Sequence, residues 1–148
     1  MMELMVNPPK SDGPSYSLFQ KEQSEILESL KRRSIKLAEA FNTLQGVSCN
    51  SAQGAMYLFP QVTLPPKAIA AAKAKKQDPD AFYSMALLNA TGVCVVPGSG
   101  FGQVEGTYHF RSTFLPPEKV SFSSNPQEMD SFIKNIKIFH EDFMKTYS

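Results

Sequence analysis

The sequence predicts an α+β fold in which helices lie on a small, mostly antiparallel sheet. Apolar residues recur at helical spacing early and late in the chain, and the period shortens to two around residues 47–59 and 108–115. Proline and glycine fall at the changeovers, where a chain must turn. The resulting order of helix, strands, helices, strand, strand, helix gives a layered α+β unit. With 148 residues the chain can bury about 68–70% of its unfolded surface, so it can hold a core without staples.

The first 15 residues carry Asn7-Pro8-Pro9 and Asp12-Gly13-Pro14, which forbid a helix and favour extended or turn geometry. From Tyr16 to Asn42 a stripe of Leu27, Leu30, Leu37, Ala38 and Phe41 predicts one long helix with a buried face, capped by Ser15 or by Ser17 with Gln20. Val47-Ser48-Cys49 and Met56-Tyr57-Leu58-Phe59 read as two short strands linked by the polar residues 50–54, and Pro60 and Pro65-Pro66 close that unit. The Ala- and Lys-rich residues 68–76 suit a surface helix. Asp78 followed by Pro79 starts another helix, with Phe82, Met85, Leu88 and Asn89 at helical spacing, and Gly92 ends it. The β-branched run Val93-Cys94-Val95-Val96 predicts a buried strand. In residues 108–115, Tyr108, Phe110, Ser112 and Phe114 share one face, and His109, Arg111 and Thr113 the other. Asn125-Pro126-Gln127-Glu128 is a capping signal for a last helix burying Met129, Phe132, Ile133, Ile136, Phe143 and Tyr147.

Composition removes several function classes. A net charge of +1, with no basic stripe, gives no electrostatic case for nucleic acid or an anionic membrane. No apolar run approaches the ~18 residues of a membrane span, and the start of the chain lacks a signal-peptide layout, so a soluble intracellular protein is expected. The two cysteines, Cys49 and Cys94, sit in apolar surroundings without ligand spacing and read as reduced core residues. His109 and His140 have no ligand-spaced partner, and no metal cluster or nucleophile–base set is suggested.

Two features remain as candidate chemistry. The loop Pro97-Gly98-Ser99-Gly100-Phe101-Gly102 fails as a nucleotide fingerprint, because Gln103 stands where a third glycine would be and a strand follows rather than a helix. It reads instead as a close-packed backbone bend beside a cleft. Arg111 is one of three arginines, standing by itself in a strand with aromatic neighbours next to that loop. It is either an edge-strand cation reaching water or a carboxylate receptor, since a planar guanidinium can hold a carboxylate through two parallel hydrogen bonds.

The same residues carry a family resemblance. Val95-Val96-Pro97-Gly98, Phe101-Gly102 and Arg111 in a strand resemble the C-terminal signature of fold-type I aminotransferases. Gly46-Val47-Ser48-Cys49-Asn50, Gln53-Gly54-Ala55-Met56-Tyr57-Leu58-Phe59-Pro60, Pro97-Gly98-Ser99-Gly100-Phe101-Gly102-Gln103 and Glu105-Gly106-Thr107-Tyr108-His109-Phe110-Arg111 are similar to the alanine aminotransferases nearly throughout. The resemblance implies a C-terminal small domain over residues 16–148, with residues 1–15 leading in from a large catalytic domain. It implies a homodimer that uses pyridoxal phosphate to exchange the amino group of L-alanine with 2-oxoglutarate. Arg111 would bind the substrate α-carboxylate. None of the twelve lysines has the context of the family's cofactor lysine, so the chain is expected to contribute no catalytic or cofactor-binding residue and to be inactive on its own. A glyoxylate-type aminotransferase, or a non-catalytic module derived from the small domain, stands as the alternative. The compartment is expected to be the cytoplasm, or the mitochondrial matrix if a transit peptide precedes the sequence.

Overall fold

The computed structural model of the protein describes residues 6–116 and 129–148. Its elements are α1 (Tyr16–Asn42), β1 (Val47–Ser48), β2 (Tyr57–Leu58), β3 (Gln61–Val62), α2 (Pro66–Ala74), α3 (Pro79–Thr91), β4 (Val96–Pro97), a 3-10 turn (Gly98–Phe101), β5 (Phe110–Thr113) and α4 (Met129–Tyr147). The α+β expectation holds, and every strand pairing among the described residues is antiparallel. By contact density the chain divides into two units, Met1–Arg32 and Arg33–Ser148.

In the first unit, turns occupy the proline-rich lead and α1 begins at Tyr16 as predicted. Ser17 lies inside the helix rather than at its cap, and Gln20 donates to the Tyr16 hydroxyl at 2.9 Å. Leu27 is 58% exposed, so the stripe does not bury all its length as the spacing suggested.

The second unit holds the core. Its sheet order is β2-β5-β4, beside a β1-β3 pair. The β3 strand was not read from the sequence, because Pro60 and Pro65 hide a two-residue strand between them. On β5, Phe110 and Ser112 turn inward as the alternation required, as does Phe114 just past its end, while Tyr108 of the same face is half-buried. The expected buried strand at 93–96 is half right. Val93 and Val95 are buried while Cys94 and Val96 face out, and only Val96 and its neighbour Pro97 pair. Cys94 is therefore exposed, and Cys49 is half-buried with its thiol pushed up by desolvation; both are free thiols, and neither is a core residue.

On α3 the buried face is Phe82, Tyr83 and Leu87 rather than one through Met85 and Asn89, which are exposed. Asp78 occupies the N-cap position without a side-chain cap bond, and Gly92 ends the helix at φ 73°, the left-handed geometry glycine permits. The Ala-rich α2 is not wholly a surface helix, since Ala68 and Ala72 are buried and their small size lets neighbouring elements approach. On α4 the core positions are Met129, Phe132, Ile136, Phe139, His140 and Phe143, with Ile133 and Tyr147 partly exposed. The capping signal at 125–128 lies outside the described residues.

Aromatic edges knit this core. Tyr83 meets Phe110, Phe139 and Phe143 at 5.9, 5.3 and 5.1 Å between centroids, and Phe41 meets Phe110 at 5.5 Å. Such pairs add about 0.5–1.5 kcal/mol each beyond their burial. His140 sits within this cluster at 1% exposure, its Nε2 2.8 Å from the Gln45 carbonyl and its Nδ1 3.0 Å from the Tyr83 hydroxyl. A carbonyl can only accept, so Nε2 carries the hydrogen and the Tyr83 hydroxyl donates to a bare Nδ1. Desolvation lowers the His140 pKa, outweighing the Gln45 carbonyl and Glu141, which raise it. Burial likewise raises the Tyr83 phenol, keeping it an O–H donor.

Candidate functional site

Arg111 lies on the face of β5 opposite the core, half-buried. The register sets its surroundings: Val96 of β4 pairs with it on one side, while Tyr57 of β2 pairs with Thr113 on the other. Its guanidinium carbon is 4.6 Å from the Tyr57 ring centroid and 4.7 Å from that of Phe101. Each such cation–π contact contributes about 0.5–1 kcal/mol at an exposed site. More important, contact with ring faces uses the charge without using the hydrogens. Among the described residues no ion pair or hydrogen bond engages Arg111, so its planar fork of donors is available to an anion.

Phe101 is the last residue of the 3-10 turn, and that turn is tied down from two sides. The Gly98 N–H donates to the His109 carbonyl at 2.7 Å. Gly98 is buried, and a Cβ there would lie 2.8 Å from His109 Cβ and 2.9 Å from its carbonyl oxygen. Only glycine fits, which is the close-packed bend that the sequence suggested. Asp80, on the first turn of α3, accepts the Ser99 N–H at 2.5 Å and the Gln103 amide at 3.0 Å, both on Oδ2. Gln103 Oε1 is 3.0 Å from His109 Nδ1. The His109 ring stacks on Phe59 at 4.9 Å, and Phe59 meets Phe101 edge-on at 5.8 Å.

The sequence reading singled out Arg111 and the glycine loop, and the fold brings Phe101 of that loop against Arg111. Tyr57, Phe101, Asp80, Gln103 and His109 were not singled out as site residues. The aromatic neighbours of Arg111 in its own strand, Phe110 and Phe114, turn to the core, so they did not announce Tyr57 and Phe101. Asp80 had no local signal, because its partners are 19 and 23 positions away.

Among the described residues no group of three or more His, Cys, Asp or Glu could hold a metal ion, and no helix is long and apolar enough to cross a membrane. A lysine that forms a Schiff base at neutral pH needs a desolvated or cationic setting. Every described lysine is exposed, so these residues do not fit the attachment site of pyridoxal phosphate.

A family model for aminotransferase class I and II matches residues 15–122. The chain is 52% identical over 147 residues to alanine aminotransferase 2 of Panicum miliaceum, covering 99% of this chain and 29% of that protein. It is 50% identical over 147 residues to glutamate–glyoxylate aminotransferase 2 of Arabidopsis thaliana, again covering 99% of this chain and 29% of the relative. Some matched relatives carry the word mitochondrial in their names. Among solved structures, an alanine aminotransferase from Pyrococcus furiosus superposes with a TM-score of 0.57 at 31% identity, covering 78% of this chain and 25% of that one. The chain thus spans 29% of the length of the curated relatives described here.

Proposed function

We propose, from the premise that this chain belongs to the class I and II aminotransferases, that it is the substrate-orienting lobe of an alanine transaminase and that Arg111 receives the α-carboxylate of the substrate. In this reading residues 16–148 form the small domain and residues 1–15 lead to it from the large catalytic domain of a homodimer. The amino group passes between L-alanine and 2-oxoglutarate, and pyridoxal phosphate is held by residues of the large domain. The lobe binds and orients; it supplies no residue to the chemical step and has no turnover by itself.

The observation that carries this reading is the state of Arg111. Its charge is steadied by Tyr57 and Phe101 while its hydrogen-bond donors are left unused by the described residues. A cation arranged this way is preorganised for a planar anion, and both the amino donor and the oxo-acid acceptor carry one at the same position. A second reading, with glyoxylate as acceptor, is favoured by the similarity to the glutamate–glyoxylate enzyme. Arg111 serves either, because it reads only the shared carboxylate.

Replacing Arg111 by Lys in the complete enzyme tests this. Lysine keeps the charge and loses the fork, which costs about 1.5–3 kcal/mol of charge-assisted bonding. The resulting drift of the α-carbon adds a penalty on the order of 100-fold per 1 Å. Steady-state kinetics should show kcat/KM falling for alanine and for the oxo acid together, with the cofactor absorbance unchanged. Values within a few-fold of wild type for both would refute the assignment.

A further inference from the structure

We infer that Asp80 is a positioning residue for Arg111, acting through Gln103 and His109 to hold the Gly98–Phe101 turn, and so Phe101, against the guanidinium. This rests on the carboxylate-binding reading of Arg111 and adds the element that keeps the receptor in shape.

Asp80 is 1% exposed, and the acceptors and donors around it leave little choice of arrangement. Burying a carboxylate is costly unless donors compensate it. Here the Ser99 N–H and the Gln103 amide both bond Oδ2 and the field at the N-terminus of α3 is favourable, while Oδ1 has no hydrogen-bond partner among the described residues. A carboxylate facing two donors has to accept both. Gln103 must then present Nε2 to Asp80, which leaves Oε1 toward His109, so His109 carries its hydrogen on Nδ1. Each group dictates the next: a flipped Gln103 would turn Oε1 toward the Asp80 carboxylate and lose the bond that Nε2 donates.

The consequence for Arg111 is geometric. Ser99 and Gln103 bracket Phe101 in sequence, and Asp80 binds both, so the turn is clamped on either side of the ring that meets the guanidinium. From the other direction His109 stacks on Phe59, whose edge abuts Phe101. Phe101 is 48% exposed, too open for core packing to fix it, which is why a hydrogen-bonded clamp beneath the turn matters.

The test uses propionate, a carboxylate without an amino group, titrated into the complete enzyme while the unfolding temperature is recorded separately. Gln103→Glu sets a second carboxylate against Asp80 and should weaken propionate binding by about tenfold, a 1.4 kcal/mol effect. Asp80→Ala removes both acceptor bonds and should weaken propionate to a similar extent, whereas Asp80→Asn, whose Oδ1 can take the place of Oδ2 and accept both donors, should stay within about threefold of wild type. A merely structural role predicts that Gln103→Glu lowers the unfolding temperature while propionate affinity stays within about twofold, which overturns the proposal. Should Gln103→Glu not fold, Gln103→Met, uncharged and similar in length, should still weaken propionate by about threefold. Unchanged affinity in that variant also overturns the proposal. Arg111→Lys is titrated alongside. If it weakens propionate and the Gln103 variants do not, only the clamp fails; if it has no effect, the carboxylate reading fails and the clamp with it.

Discussion

The two histidines of this chain show how one residue type is put to opposite uses. His140 lies within the aromatic core, 1% exposed, with both ring nitrogens engaged by Tyr83 and the Gln45 carbonyl. His109 lies on the outer face of the sheet, stacked on an exposed Phe59 and bonded to Gln103 beside the loop that carries Phe101. The first region is held by packing and hydrogen bonds that agree. The second is a thin layer of polar contacts and half-exposed rings supporting one arginine. Changes in the first should therefore act on stability, and changes in the second on ligand recognition.

The largest expected separation comes from Phe143→Ala. Phe143 contacts Phe82, Tyr83, Phe139 and Tyr147, and its truncation should cost about 3–5 kcal/mol of stability. Chemical denaturation measures that loss, and the carboxylate affinity of the folded fraction should stay as in wild type. An affinity that fell in step would mean the two regions are coupled. Phe101→Leu should do the reverse on a smaller scale. It removes one cation–π partner of Arg111, about 0.5–1 kcal/mol, so propionate binding should weaken a few-fold with little change in unfolding temperature. A large stability loss without an affinity change would move Phe101 into the core category.

The smallest effect is a pH dependence owed to His140. Its folded-state pKa is lowered from the ordinary value of 6.5, chiefly by desolvation. Above that value both folded and unfolded states hold the ring neutral, and its contribution to stability is complete. As pH falls below it, the unfolded chain takes up a proton that the folded one refuses, so stability declines until the lowered folded pKa is reached. Urea denaturation across this range should show the decline in wild type and a flatter curve for His140→Leu, at lower overall stability. Equal slopes would assign the acid sensitivity to other groups.

The sequence made one of these regions more legible than the other, for physical reasons. Local patterns gave α1 to the residue, the start and the Gly92 stop of α3, and the inward face of β5, since each depends on period or on a turn residue within a few positions. Arg111 stood out as a candidate because an isolated guanidinium in an aromatic strand is chemically unusual. Burial on the helices was less so. Leu27 and Met85 satisfy a helical period yet face outward, because the period fixes which residues share a stripe and not how far along the helix a neighbour covers it. Cys94 was misplaced for the related reason that a run of β-branched residues looks doubly buried whether or not its second face is covered. The clamp on the glycine turn joins Asp80 to residues a helix and a strand away, and no local pattern announces a contact of that kind.

The central claim, that Arg111 recognises a carboxylate, is tested most directly by comparing propionate with propionamide, which matches it in shape and lacks the charge. Dissociation constants for both are measured on the complete enzyme and on its Arg111→Gln variant by competition against alanine. Wild type should favour propionate by at least about tenfold, as expected for a charge-assisted forked contact, and the variant should bind the two alike. If the variant keeps the wild-type preference, the carboxylate is read elsewhere and Arg111 is a surface cation resting on two rings.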